Sequence, residues 1–304
     1  MRTKQSFAVN RRRMTPSDIV LYMLMILTGI VTLYPFLNVA ALSFNDAVDS
    51  VKGGIYLIPR KFTFNNYLEI FKSDLLLLAF RNSILRTVIG TITGVICCAM
   101  VGYTVSRKDY MGRRLFSLML AITMYVSGGL IPDYILIRNL GLFNTFWVYI
   151  LPALVSVWNV FVIRSYIDGL PDALQESAKI DGANDIVIFF KIILPLCLPV
   201  LATVALFTAV GQWNSWFDTY LFNNSNKSLT TLQYELQKIL TYASVQFSAA
   251  DDIRSIEQMQ KKIVVTPDSL KMAMTIVTIV PILFVYPFVQ RYFVTGMTLG
   301  AVKS

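Results

Sequence analysis

The segment from residue 170 to residue 195 reads LPDALQESAKIDGANDIVIFFKIILP and lies between two long apolar runs. Pro171 suits the first helical position, because its missing N–H would be unsatisfied there anyway, so we expect a short helix beginning at Pro171. Gly182 can adopt a left-handed backbone conformation, and Asn184 or Asp185 can cap a following helix. The segment therefore predicts a compact helix–glycine–helix knob that can dock into a cleft of a partner. A solvated loop lying on the membrane surface is the alternative.

The composition around this segment is that of a membrane protein. The chain has 304 residues, of which 55% are hydrophobic and 15% charged, and its mean hydropathy is +0.59. Soluble domains carry about 25% charged residues, so a soluble fold of this size would leave too much apolar surface in water. The chain has no His, which excludes His-based acid–base catalysis and Ser-His-Asp triads. Its three Cys exclude a disulfide scaffold; they lack metal-site spacing and are interpreted as packing residues.

Six apolar runs are long enough to cross a bilayer, which requires roughly 20 residues each. The predicted spans are residues 19–42, 83–105, 115–137, 146–163, 192–210 and 272–289. The third is interrupted by Ser127-Gly128-Gly129 and Pro132. The predicted fold class is therefore an all-α, polytopic membrane protein whose six-helix domain covers residues 19–290.

Basic residues predict the orientation, because short cytoplasmic loops carry an excess of Lys and Arg. The net charge is +9, and basic residues cluster before residue 14, at 107–114 and around 164–191, whereas the short loop at 138–145 has Arg138 alone. We therefore expect cytoplasmic tails at 1–18 and 291–304, a cytoplasmic loop at 164–191 and external loops at 43–82 and 211–271. The basic excess is thus a topology signal, and no nucleic-acid partner is expected.

Several positions near the spans raise specific expectations. Arg86 is the one clear charge within a span, and we expect it to snorkel to the outer interface, with an intramembrane function as the alternative. Gly90 and Gly94 in the same helix predict close helix packing. In the last external loop, apolar residues recur at helical spacing from residue 229 to residue 240, with Ser228 as the expected N-cap. Trp213, Asn214, Trp216 and Asp218, at the outer end of the fifth span, combine aromatic faces with hydrogen-bonding groups suited to a sugar; an interfacial aromatic belt is the alternative.

The knob segment resembles the EAA loop of ABC importer permeases. The similarity rests on Glu176-Ser177-Ala178, Asp181-Gly182-Ala183 and Leu194-Pro195, and the only departure is Ser177 in place of the middle Ala. Residues 106–114 (SRKDYMGRR) and 290–303 (QRYFVTGMTLGAVK) are similar to the carbohydrate branch of that family, in particular to maltose-type permeases for complex or acidic oligosaccharides.

The resemblance implies a type I importer fold and a non-catalytic subunit in a bacterial cytoplasmic membrane. The implied partners are a second homologous permease, two ATPase subunits, an extracytoplasmic solute-binding protein, the sugar and membrane lipid. The chain has no phosphate-binding Gly-Lys-Ser/Thr motif, so ATP and Mg are expected on the ATPase chains and no metal or cofactor on this one. The ATPase-coupling residues implied are Glu176, Ser177, Ala178, Asp181, Gly182, Ala183, Leu194 and Pro195. An ion-coupled secondary transporter or a membrane scaffold is the alternative.

Overall fold

The computed structural model describes residues 15–249 and 265–301. The basic residues expected before position 14, the end of the last external loop and the last three residues lie outside the described residues. In chain order the helices are α1 (Pro16–Ser43), α2 (Ala47–Val51), α3 (Asn65–Lys72), α4 (Asp74–Ser106), α5 (Arg113–Tyr125), α6 (Leu130–Asn139), α7 (Val157–Ile167), α8 (Ala173–Ile180), α9 (Asp185–Ile188), α10 (Leu194–Leu196), α11 (Leu198–Asn214), α12 (Phe217–Phe222), α13 (Leu232–Ala249) and α14 (Pro267–Ala301). No strand is present in the described part of the chain beyond one isolated bridge between Asn45 and Phe62. The predicted all-α class is confirmed.

Three of the six predicted spans are continuous helices. α1, α4 and the first part of α14 (Pro267–Pro287) are each long and apolar enough to cross a membrane. α4 begins at Asp74, nine residues before the predicted start of the second span, because Ser73 caps it by accepting the Leu76 N–H. None of the most apolar stretch of α1 is buried within the chain. This helix therefore presents its apolar surface outward, as lipid or a second membrane subunit requires.

The other three predicted spans are bent pairs of helices rather than straight helices. α5 and α6 meet at 118°, the turns at 146–153 meet α7 at 47°, and the segment Asp185–Leu196 meets α11 at 81°. The break between α5 and α6, in the third predicted span, falls at the interruption noted in the sequence. Gly129 there has a φ of +88°, which residues other than glycine rarely adopt. In the fifth predicted span, the backbone hydrogen bonding is interrupted by a π-helical turn at Phe189–Ile193 and by the closely spaced Pro195 and Pro199. Six spans result if each bent pair crosses once.

α4 is the central helix, and it packs against α7 and α11. Gly90, Gly94 and Gly102 are all buried along it. A Cβ added at Gly102 would lie 3.3 Å from the Val160 carbonyl oxygen of α7, and one at Gly90 only 2.9 Å from the Gln212 side chain of α11. The close helix approach predicted from Gly90 and Gly94 is confirmed, because the missing side chains let neighbouring segments contact α4 directly.

The loop between α11 and α14, which the sequence predicts to be external, folds against the N-terminal part of α4. The Asn82 side-chain amide donates to the carbonyls of Ser228 and Thr230, at 2.8 and 2.9 Å, and Ser83 Oγ accepts the Leu232 N–H at 2.9 Å. The predicted helix is present as α13, but Ser228 is not its N-cap. Ser228 lies in a 3-10 turn at Lys227–Leu229 whose own cap is Asn226, and α13 begins only at Leu232.

Candidate functional site

The first candidate site is the knob, defined as residues 170–195. Its first helix, α8, has Asp172 as N-cap, so the expectation that Pro171 occupies the first helical position was wrong. The Pro171 carbonyl instead accepts the Leu174 N–H at 3.2 Å, in a tight turn that precedes the helix. Ala178 is buried in the apolar cluster where α4, α7 and α11 meet, whereas Glu176 on the same helix is exposed. The Ser177 hydroxyl donates to the Ala173 carbonyl of its own helix at 2.7 Å, so this departure from the family pattern disturbs no packing.

Gly182 ends α8 with the backbone conformation that the sequence predicted. Its φ is +81°, and the N–H of Ala183 donates to the Ala178 carbonyl at 2.9 Å, which satisfies a carbonyl at the helix end. Asn184 then caps α9 by accepting the Val187 N–H at 2.9 Å, as predicted. An added Cβ at Gly182 would have nothing within 4 Å in this chain. The need for glycine within the chain therefore comes from backbone strain and not from a steric clash.

The tip of the knob is exposed and partly apolar. Ile180 and Ile186, on either side of Gly182, have 86% and 68% of their surfaces exposed, and Asp181 is exposed between them. On the inner side, Ala183 and Leu194 pack against the apolar cluster around α4, whereas Pro195 is exposed. The knob is thus anchored to the helix bundle through its inner side, and its tip exposes two large apolar side chains beside carboxylates.

A network of polar contacts joins the knob to the basic loop, defined as residues 106–114. Arg107, the C-cap of α4, donates to Gln175 Oε1 of α8 at 2.6 Å and lies 3.4 Å from the Asp185 carboxylate of α9. Arg107 also holds Asp109 at 2.7–3.0 Å, and Asp109 accepts from Lys179 of α8 at 2.9 Å. These bonds from Arg107 and Lys179 hold the pKa of the Asp109 carboxyl far below its ordinary value.

This network was not predicted from the sequence. Lys108 forms a further ion pair with Asp172 at the start of α8. The clustering of basic residues in one loop and carboxylates in the other was visible in the sequence, but which charges meet depends on how the two loops fold together.

The second candidate site lies at membrane depth around Arg86. The prediction that Arg86 snorkels to the interface was wrong, because its side chain is only 2% exposed. Its guanidinium donates to Gln212 Oε1 at 3.1 and 3.2 Å, to the Asp218 carboxylate at 3.1 and 2.5 Å, and to the Ser215 carbonyl at 3.2 Å. It also stacks over the Tyr149 ring at 4.4 Å. A buried charge needs such pairing, and the pairing ties α4 to α11 and α12.

The four residues predicted to line a sugar path are not brought together. Trp213 is buried, its Nε1 donates to the Thr278 carbonyl of α14 at 2.9 Å, and its ring packs edge-on against Phe80. Trp213 is therefore a packing residue, and it does not line the cavity described next. Asn214 is exposed and Trp216 is half-buried against Phe217, outside the cavity described next. Of the four, only Asp218 lines that cavity.

The cavity has a volume of about 470 Å³ and lies between α4, α7, α11 and the turns at 146–153. We call it the polar cavity. Its polar lining residues are Arg86, Ser156, Asn159, Thr208, Gln212, Ser215 and Asp218. Asn159 and Thr208 were missed at the sequence level, although each is a polar side chain within an apolar run and could have been noticed on that ground.

No metal-binding cluster of three or more His, Cys, Asp or Glu is present within residues 15–249 and 265–301. The location of ATP and Mg on other chains stays a prediction.

Comparison with known proteins identifies the family. Residues 13–299 match the family described as binding-protein-dependent transport system inner membrane component. A polygalacturonan/rhamnogalacturonan transport system permease protein of Bacillus subtilis is 34% identical over 94% of this chain and 98% of its own length. An arabinooligosaccharides transport system permease protein of Halalkalibacterium halodurans is 32% identical over 90% of this chain and 92% of its own.

The fold is also that of a solved transporter. A chain in the crystal structure of a bacterial ABC transporter involved in the import of the acidic polysaccharide alginate superposes with a TM-score of 0.82, at 26% identity, over 93% of this chain and 99% of that chain. The resemblance seen in the sequence is therefore confirmed along nearly the whole length. The chain belongs to the binding-protein-dependent transport system inner membrane components, a family of non-catalytic, multi-pass membrane subunits.

Proposed function

We propose that this chain is one of two permease subunits of an ATP-driven importer of sugars or oligosaccharides. Its relatives named above are permeases for polygalacturonan or rhamnogalacturonan and for arabinooligosaccharides, and its structural neighbour belongs to an importer of alginate. A second homologous permease, two ATPase subunits and an extracytoplasmic sugar-binding protein complete the importer. ATP and Mg bind to the ATPase subunits.

The observation that carries the proposal is the shape of the knob. Ile180 and Ile186 project from a glycine turn beside the exposed carboxylates of Glu176 and Asp181. Apolar side chains that project from a small, firmly anchored element are suited to insertion into a groove of a partner. The Glu176 carboxylate offers a charge-assisted contact for a basic partner residue. We infer that an ATPase subunit receives this tip and moves it during the ATP cycle.

The anchoring on the inner side transmits that movement to the membrane. Ala178 packs α8 against the bundle, whereas Ser177 on the same helix is exposed. Ala183 and Leu194 pack on the apolar cluster, and Pro195 lies at the bent start of the fifth span. Displacement of the knob is then passed to α4 and α11, which line the polar cavity. We propose that this movement opens the cavity alternately to the two sides of the membrane.

The proposed orientation places the knob, the basic loop and both termini in the cytoplasm. The contact between Arg107 and Gln175 supports one part of this orientation, because it puts the two most charged short loops on the same side of the membrane. The positive-inside rule then assigns that side to the cytoplasm.

A reconstitution experiment tests the proposal. The tagged chain, expressed in its native cells, is expected to bring down an ATPase and a second permease. Liposomes that contain the purified complex are expected to take up sugar only with ATP and the binding protein. Gly182→Ala is expected to reduce sugar uptake per ATP hydrolysed. Gly141→Ala is the matched control, because Gly141 has a φ of +69° and open space around it but lies outside the knob.

Uptake driven by an ion gradient without an ATPase would contradict the importer proposal and favour a secondary transporter. Equal behaviour of the two glycine variants would contradict the role of the knob.

A further inference from the structure

The polar cavity has the size and lining of a ligand site. Its volume of about 470 Å³ lies in the range of small-molecule pockets, which combine apolar and aromatic walls with a few placed polar groups. The walls include the aromatic residues Tyr149, Phe207 and Phe222. A hydroxyl-bearing sugar ring has one face for aromatic contact and an edge of hydrogen-bonding groups, so the lining and the cargo are chemically matched.

Asn159 and Thr208 are polar side chains of two different helices that meet at the cavity wall, and the Thr208 hydroxyl also donates to the Val204 carbonyl of its own helix at 2.9 Å. The Asn159 side-chain amide donates to Thr208 Oγ1 at 3.2 Å, which bridges α7 and α11 across the cavity wall. Within the described part of the chain nothing donates a hydrogen bond to Oδ1 of Asn159. Polar side chains within membrane spans face a bundle interior or a water-filled cavity. Both side chains line the cavity, and both keep acceptor capacity for a ligand hydroxyl: Asn159 through Oδ1, and Thr208 through the one lone pair that Asn159 does not use.

The positive charge that lines the same cavity, the Arg86 guanidinium, has no hydrogen-bond donor left for a ligand. Arg86 has five N–H donors, and all five are engaged by Gln212, Ser215 and Asp218. The Asp218 carboxylate, 22% exposed, neutralises the guanidinium and also accepts the Thr219 N–H at 2.8 Å. The cavity therefore offers hydroxyl, amide and carboxylate groups to a ligand, but no free cation for a sugar carboxylate.

We propose that the polar cavity is a sugar-contacting site of this chain, in which Asn159 and Thr208 bind the hydroxyl groups of one sugar ring. The site recognises hydroxyl groups, so any carboxylate on the cargo is bound elsewhere in the importer. The Arg86–Asp218 pair forms the fixed outer wall. This inference rests on the proposed function, and it replaces Trp213, Asn214 and Trp216 by Asn159 and Thr208 as the contact residues.

The test uses the whole importer in liposomes, with its own ATPases and a saturating amount of its binding protein. The probes are a panel of neutral and uronic acid trisaccharides that includes arabinotriose and trigalacturonate. Thr208→Val removes the hydroxyl at nearly constant volume, and Asn159→Leu removes the amide. Thr203→Val is the matched control, since the Thr203 hydroxyl makes the same kind of intrahelical bond as the Thr208 hydroxyl, to the Pro199 carbonyl at 3.1 Å, but does not line the cavity.

Thr208→Val and Asn159→Leu are expected to lower the maximal uptake rate about threefold to tenfold, the effect of one lost hydrogen bond. The loss is expected to be similar for neutral and acidic probes. ATP hydrolysis without sugar, subunit assembly and the sugar affinity of the isolated binding protein are expected to be unchanged. Thr208→Ser, which keeps the hydroxyl, is expected to restore uptake.

Uptake by Thr208→Val equal to that of Thr203→Val would overturn the site. If a variant does not assemble, Thr208→Cys in a chain without native Cys gives a second measurement. An imported sugar is expected to slow labelling of the Thr208→Cys variant by a thiol reagent but not labelling of the Thr203→Cys variant, and absence of this protection would overturn the proposal. A wild-type importer that takes up no probe with ATP contradicts the proposed function itself, whereas normal wild-type uptake with insensitive variants contradicts only this site.

Discussion

Replacing Arg107 by Ala is expected to loosen the knob from the rest of the protein. Arg107 is only 12% exposed, and it contacts both helices of the knob, through Gln175 of α8 and Asp185 of α9. It is the one residue of the basic loop that bonds to both. Removing its guanidinium breaks these contacts and the bond to Asp109 in one step, while the apolar anchoring through Ala178 remains.

The magnitude follows from the exposure of the partners. Asp109 and Asp185 are 58% and 63% exposed, so each ion pair is screened by water and contributes at most about 0.5 kcal/mol. The hydrogen bond from the charged guanidinium to Gln175 is better shielded and contributes about 1.5 kcal/mol. Asp109 belongs to the basic loop itself, so only the contacts of Arg107 to Gln175 and Asp185 attach the knob. The local free energy of attachment is therefore expected to fall by about 2 kcal/mol, a factor of roughly 30 in the opening equilibrium.

Hydrogen–deuterium exchange measured on peptides from residues 173–193 tests this expectation, since exchange of protected amides reports local opening. Lys108→Ala is the control, because Lys108 makes a single ion pair and both partners are exposed, so its loss is expected to change exchange less than about fivefold. In the reconstituted importer, Arg107→Ala is expected to lower sugar uptake per ATP hydrolysed. Exchange in Arg107→Ala no faster than in Lys108→Ala would refute the reasoning.

Three other expectations concern the helix bundle and its charges. Arg86→Met is expected to lower the stability of the protein in detergent by about 3–5 kcal/mol, measured by thermal unfolding, because Asp218 loses its partner; an unchanged unfolding temperature would contradict the role of the pair. Gly90→Ala is expected to cost about 1–3 kcal/mol in the same assay, since its Cβ would lie 2.9 Å from the Gln212 side chain. Gly94→Ala, where the nearest atom is 3.6 Å away, is expected to be nearly neutral, and equal effects would argue against the packing. The pKa of Asp109 is lowered from 3.8, so its contribution to stability is fully present above that value and is lost only as the pH falls through the lower folded pKa. Hydrogen exchange of the knob amides, corrected for the intrinsic rate, is therefore expected to show equal protection at pH 5 and pH 7. A loss of protection at pH 5 would contradict the lowered pKa of Asp109.

Features that depend on local backbone chemistry and on composition were predictable from the amino-acid sequence. The left-handed turn at Gly182 and the Asn184 cap were predictable because each uses atoms within three residues of itself. The membrane class followed from the hydrophobic fraction, and the interrupted third span from its glycines. The predictions that Pro171 and Ser228 lie at helix starts were wrong. Each residue lies in a tight turn that precedes the helix, and this turn takes up the backbone groups that the predicted helix start would have used.

Which polar groups contact one another depends on the tertiary structure. Arg86 was expected to reach the interface because its distance from the predicted helix end permitted it, but Gln212 and Asp218, 126 and 132 residues further along the chain, hold it in the interior. Trp213 has the chemistry of a sugar-stacking residue, yet its ring is taken up by packing against other helices. Burial and ion pairing are set by which helix faces approach one another. That approach depends on glycines and breaks in several spans at once, so no single segment of the sequence contains it.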